Sequence, residues 1–194
     1  MTVSLQKGQK VDLTKGNAGL RRIMVCLGWD EVPKKGFFSA FKQDIDCDAS
    51  AILLKNRKFA GNDDLVYFGN LKHKSGAIQH MGDNLTGAGD GDAEQIKVDL
   101  GSIPADCDAI VFVVNIYQAI QRKQHFGLVK NAYIRIVDDA TSKELCRFDL
   151  SDNYDGKTAM IVAEVYRHSG EWKFSAIGEA TQDSGLKELL RRYS

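Results

Sequence analysis

The sequence predicts an all-β chain, a sandwich or barrel of about ten short strands with a short C-terminal helix. Three observations predict this. Apolar or alternating runs recur at roughly ten-residue spacing along the chain. Turn residues separate the runs, Ser75-Gly76 and Ser169-Gly170 among them. Only two segments can be read as helices.

Residues 23–29 (IMVCLGW) form an apolar run ended by Asp30, and residues 49–54 a second, closed by the polar KNRK. Short strands at 65–68 (LVYF) and 78–80 flank the Ser75-Gly76 turn. Residues 95–100 (QIKVDL) alternate apolar Ile96, Val98 and Leu100 with polar neighbours, as a half-buried strand does. Residues 110–116 (IVFVVNI) are the most apolar run and are expected at the centre of a sheet. Strands at 133–137, 145–150, 160–167 and 172–177 complete the set, the last two joined as a hairpin by Ser169-Gly170. Residues 118–126 read as a short helix or a polar loop. In 186–193 (LKELLRRY), Leu186, Leu189, Leu190 and Tyr193 make one apolar stripe at helical spacing, which packs against a sheet.

The 194 residues suit a single domain over 1–194. Lys plus Arg number 26 and Asp plus Glu number 26, so there is no basic excess to attract nucleic acid. No stretch approaches the ~20 apolar residues of a membrane span. The N-terminus (MTVSLQKGQKVDLTKG) lacks a signal-peptide core, so a cytoplasmic protein is expected. Cys26, Cys47, Cys107 and Cys146 form no CxxC pair, and Cys26 and Cys47 fall inside apolar strand patterns, as reduced core cysteines do. His73, His80, His125 and His168 have no zinc-ligand spacing with them.

The stretch 82–94, GDNLTGAGDGDAE, holds Asp83, Asp90, Asp92 and Glu94 without a Lys or Arg, interleaved with Gly82, Gly87, Gly89 and Gly91. Carboxylates this dense repel one another unless a cation lies between them. Ca²⁺ takes six to eight oxygen ligands, and glycines let the backbone aim carbonyls inward. The competing reading is a solvated turn-rich connection, since Asp, Asn and Gly are also turn residues. The stretch is not an EF-hand, because Leu85 and Gly87 stand where side-chain oxygens belong. A second cluster, Asp44, Asp46 and Asp48, alternates at the entry to the 49–54 strand, which puts side chains two apart on one face. Such acids at the mouth of a buried strand are costly without a counter-charge, and two clusters in one small domain favour a shared cation site.

Two other functions compete. An enzyme could use the same carboxylates for metal-assisted hydrolysis or glycoside cleavage. The chain, however, shows no Ser-His-Asp, Cys-His, HExxH or P-loop pattern, and His80 reads as a structural histidine ending a strand. Thiols could reduce oxyanions, but Asp46 and Asp48 flank Cys47 and blunt it. In 32–43, Lys34, Lys35 and Lys42 surround Phe37, Phe38 and Phe41. That segment either folds its rings onto the sandwich, the commoner outcome, or docks a membrane or partner.

Long ordered motifs then point to a family. VSLQKGQKVDLTK, CLGWD at 26–30, DCDAS at 46–50 and HMGDNLTGAGDGDAEQIKVDL at 80–100 are four of them. VVNIYQAIQRKQHFGLVKNAYIRIVD at 113–138, RFDLSD at 147–152 and AEVYRHSGEWKFSAIGE at 163–179 complete the series. Over nearly its whole length the chain resembles TerD-type tellurium-resistance and stress-response proteins. The resemblance implies an all-β, two-sheet β-sandwich that binds calcium without being an enzyme. It implies a cytoplasmic role in bacterial tolerance of tellurite and other stresses, with recruitment to the inner face of the membrane. Protein partners are implied too: related soluble paralogues and a membrane-protein partner.

By resemblance the calcium ligands are Asp46 and Asp48, then Asp83 and Asn84, then Asp90, Asp92 and Glu94, with Asn70 close to the site. Three departures stand out. Ala93 replaces an acid of the family's GDDE, Gln118 replaces an acid after NIY, and 32–43 is more basic and aromatic than usual. Each lost charge weakens cation affinity, so one of two adjacent sites is expected to be weak or absent.

Overall fold

The computed structural model describes residues 2–31, 45–82 and 92–194. The lysine- and phenylalanine-bearing segment 32–43, Asp44, and Asp83, Asn84 and Asp90 of the acidic stretch lie outside the described residues.

Twelve strands form two six-stranded sheets. In chain order they are β1 (Val3–Leu5), β2 (Lys10–Asp12), β3 (Arg22–Glu31), β4 (Cys47–Leu54), β5 (Leu65–Val66) and β6 (Ile78–His80). There follow β7 (Glu94–Asp99), β8 (Ala109–Ile116), β9 (Val129–Asp138), β10 (Glu144–Asp149), β11 (Ala159–His168) and β12 (Glu171–Thr181). The first sheet runs β1-β10-β9-β3-β7-β6 and the second β2-β12-β11-β8-β4-β5. The architecture is thus the two-sheet sandwich, with β1 and β2 added to the strands read from sequence. Both are three residues long and largely exposed, so they carry no apolar alternation.

Local chemistry explains the best-matched elements. β8 is buried along its whole length and lies between β4 and β11. Ile110, Phe112, Val114 and Ile116 face the core between the sheets, while Ala109, Val111 and Val113 face outward. The outward face is not wet. Helix α2 (Leu186–Leu190) covers it, with Leu189 fully buried and Leu186, Leu190 and Tyr193 packed beside Ile52, Leu54 and Val111. This is the apolar stripe expected of 186–193. The β11–β12 hairpin turns at Ser169 and Gly170, both at positive φ (53° and 82°), the conformation a two-residue turn needs to match strand twist. Residues 118–126 hold only the four-residue helix α1 (Ala119–Arg122), flanked by left-handed Gln118 and Lys123.

Two strands position the acidic residues. In β4, Cys47, Ala49, Ala51 and Leu53 point into the core, so Asp48 and Ser50 share the outward face with Ile52 and Leu54. In β7, Glu94, Ile96 and Val98 are buried and alternate with half-exposed Gln95, Lys97 and Asp99.

Candidate functional site

At the start of β4, Asp48 is directly opposite Asn115 of β8, and its carboxylate accepts a long bond from Asn115 Nδ2 at 3.5 Å. Asp46 lies just before the strand. Its carbonyl accepts the Tyr117 N–H at 2.7 Å, and its carboxylate is 3.8 Å from Arg122. Asp48, Ser50 and Asn115 are 8 %, 1 % and 6 % exposed. Ser50 Oγ and Asn115 Oδ1 are buried and have no hydrogen-bond partner among the described residues. Buried oxygens left without a donor are costly, so a pair of them beside a buried carboxylate calls for a cation or an ordered water.

At the start of β7, Glu94 turns into the core instead. His80, which ends β6, places Nε2 at 3.0 Å from its carboxylate and 3.2 Å from the carbonyl of Ala49 in β4. The Gly82 N–H donates to His80 Nδ1 at 3.2 Å, so Nε2 carries the ring hydrogen that faces Glu94 and Ala49. One imidazole therefore ties β6 and β7 of one sheet to β4 of the other. It brings the entry of β4, with Asp46 and Asp48, to the same end of the sandwich as Asp92 and Glu94.

Asp92 takes the other side of its sheet. There Tyr133 and Arg135 alternate with core-facing Ile134 and Ile136. Arg135 grips the Asp92 carboxylate with Nε at 2.8 Å and Nη2 at 2.7 Å, and the Tyr133 hydroxyl donates at 3.0 Å. Burial pushes the Asp92 carboxyl up, but the Arg135 and Tyr133 hydrogen bonds outweigh it and hold the group below the ordinary carboxylate range. Burial, reinforced by the same carboxylate, pushes the Tyr133 phenol up to about 12. Arg135 also reaches Glu144 at 3.1 Å, and Arg147 stacks 3.7 Å above the Tyr133 ring centroid. Asn70 donates Nδ2 to the Leu65 carbonyl at 2.7 Å and so closes the turn after β5.

The structure therefore brings Asp46, Asp48, Glu94 and Asp92 to one end but commits them differently. Asp92 is neutralised by Arg135, Glu94 is held by His80, and Asn70 is spent on a turn. As metal ligands these three would have to release those partners. Among the described residues, no three His, Cys, Asp or Glu side chains are grouped to hold a metal ion. What fits an oxygen-binding cation is the Asp48 carboxylate with the two unpartnered oxygens of Ser50 and Asn115. Neither Ser50 nor Asn115 was singled out in the sequence. Their signal was weak: single polar residues within the apolar runs 49–54 and 110–116.

One constellation escaped the sequence reading. His73 sets Nδ1 2.7 Å from Ser75 Oγ and Nε2 3.3 Å from the buried Asp64, which Lys55 also approaches at 3.3 Å. It resembles a nucleophile–base–acid triad, but the amides nearest the hydroxyl are already spent. Ser75 N–H donates to His73 Nδ1, Gly76 N–H to the His73 carbonyl and Ala77 N–H to Ser75 Oγ. No donor among these amides remains for an oxyanion, so the cluster locks a turn.

All four cysteines are free and buried. Burial pushes the Cys26 thiol far up, reinforced by the Asp92 charge, and raises Cys107 to about 11 and Cys146 to about 12. No helix among the described residues is long and apolar enough to cross a membrane.

Fold and site together define a two-sheet β-sandwich with an oxygen-rich cluster where β4 begins and β8 ends. The chain belongs to the TerD family: the TerD domain model matches residues 1–193. It is 52 % identical to Stress response protein SCP2 of Bacillus subtilis, over 100 % of both chains. It is 43 % identical to Tellurium resistance protein TerD of Serratia marcescens, over 100 % of this chain and 97 % of the relative. In fold it matches the crystal structure of a homologue of telluride resistance protein (TerD) from Streptomyces coelicolor A3(2). That match has a TM-score of 0.64 at 23 % identity and covers 85 % of this chain and 92 % of that one.

Proposed function

We propose that this protein is a non-enzymatic calcium-binding member of a bacterial tellurite-resistance and general stress-response system. Relatives named for stress response and tellurium resistance, each aligned along the whole chain, support the physiological part. The calcium part is carried by one observation. Among the described residues, Ser50 Oγ and Asn115 Oδ1 have no hydrogen-bond partner and are buried beside the Asp48 carboxylate. Hard cations take mixed carboxylate, amide and hydroxyl oxygens of this kind.

Asp48 from β4 and Asp46 just before it supply the charge, and Asp83, Asn84 and Asp90 complete the ligand set from the acidic stretch. Asp92 and Glu94 brace its return through Arg135 and His80, and Asn70 braces the neighbouring turn. The metal supplies charge neutralisation and loop order, not catalysis. Ordered acidic loops at one end of the sandwich then form a docking surface for protein partners in the cytoplasm, namely related soluble paralogues and a membrane-protein partner.

Thermal unfolding with calcium and with chelator tests this. Saturating calcium at a hundredfold excess over Kd should stabilise the fold by about 2.7 kcal/mol, a rise of about 5–10 °C for a chain of this size. Asp48→Asn and Asn115→Leu should abolish the rise. A calcium response that survives both substitutions would refute this site.

A further inference from the structure

A cavity of about 150 Å³ opens between the two sheets. Trp29, Phe126, Tyr154, Met160 and Val162 line its depth, all buried. Gly127, Asp152 and Asn153, all exposed, form its mouth. Trp29 and Tyr154 bring polar atoms as well as ring area to the lining, and its one charged residue, Asp152, is already paired with Lys7 at 3.0 Å.

At the mouth, a β-carbon on Gly127 would come within 2.8 Å of Asp155 and 2.9 Å of His125. A side chain on Gly127 would therefore crowd the mouth.

We propose that this cavity is a binding site for one small, neutral, ring-sized aromatic molecule. A cavity of about this volume admits a benzene-sized ring. Aromatic walls meet a flat guest edge-to-face, and the Met160 thioether adds a soft contact to the ring. A charged guest would find no uncompensated partner inside. The site also touches the acidic end of the fold. Tyr133 lines it and donates to Asp92, and the carbonyl of Leu27, another lining residue, accepts the Ala93 N–H at 2.8 Å.

Toluene and indole are the probes, titrated into chelator-treated protein so that the outcome does not depend on calcium. Calorimetry should give saturable one-to-one binding at about 1 mM or tighter. Nuclear Overhauser contacts should link the probe to the Trp29 indole and the Met160 methyl, and the Asp92 and Ala93 amide resonances should shift. Ala132→Phe, which points a ring from β9 into the cavity, should keep or raise Tm and weaken binding at least about tenfold. No saturable binding by the wild-type protein, or contacts to other residues, would overturn the proposal. The wild-type contacts decide the matter even if the variant fails to fold.

Discussion

His80 and Glu94 form a buried pair, 3.0 Å apart and each with a side chain only 1 % exposed, and the pair joins the two sheets. The imidazole also meets the Ala49 carbonyl, so it spans from β7 to β4. Losing the histidine strands a carboxylate in the core, whereas neutralising the carboxylate leaves a hydrogen-bonding partner in place. Denaturant unfolding should therefore show His80→Ala losing about 3–5 kcal/mol and Glu94→Gln about 1 kcal/mol. Equal losses would mean that the pair is not the clasp described.

Tyr133 should matter through both its hydroxyl and its ring. Tyr133→Phe removes one donor from the Asp92 carboxylate and should cost about 1.5 kcal/mol. Gly28→Ala drives a methyl into the same ring and should cost about 1–3 kcal/mol through overpacking. Chemical denaturation of both variants measures this, and a neutral Gly28→Ala would contradict the close approach.

The thiols should be inert in the folded protein. Burial and raised pKa values keep Cys26, Cys107 and Cys146 protonated near neutrality, and Cys47 is buried too. A thiol-reactive disulfide reagent at pH 8 should label none of them within minutes, and all four after denaturation. Fast labelling of the native protein would reopen thiol chemistry on oxyanions.

Acid should loosen the C-terminal helix. Arg192 Nε bonds the Asp183 carboxylate at 2.7 Å. Burial raises that carboxyl, but the Arg192 and Thr181 bonds prevail and hold it below its ordinary value of 3.8. A depressed carboxyl stabilises the fold above the unfolded value and stops doing so as pH falls through the folded one. The Tm gap between wild type and Asp183→Asn should be present at pH 6 and shrink below about pH 3.8. A gap independent of pH would show that the carboxylate is not the stabilising species.

Periodicity made most of the fold legible. The alternation of 95–100 marked β7, and the unbroken apolar run at 110–116 marked the central β8. The missed edge strands, VSL and KVD, pair through backbone alone and bury too little to leave a pattern. The acids were legible as clusters, but their partners were not. Arg135 lies 43 residues from Asp92, and His80 meets Glu94 only because β6 and β7 pair. No local spacing encodes which carboxylates the fold neutralises internally. Nor does spacing distinguish Ser50 and Asn115, whose lack of partners among the described residues emerges only when β4 and β8 pack.

The most direct measurement is a calorimetric titration of chelator-treated protein with Ca²⁺, with Mg²⁺ as control, on wild type, Asp48→Asn and Asp92→Asn. The account predicts saturable calcium binding at about micromolar strength, lost in Asp48→Asn and largely kept in Asp92→Asn, whose carboxylate already serves Arg135. No calcium heat from wild-type protein, or loss in Asp92→Asn with Asp48→Asn unaffected, would contradict it.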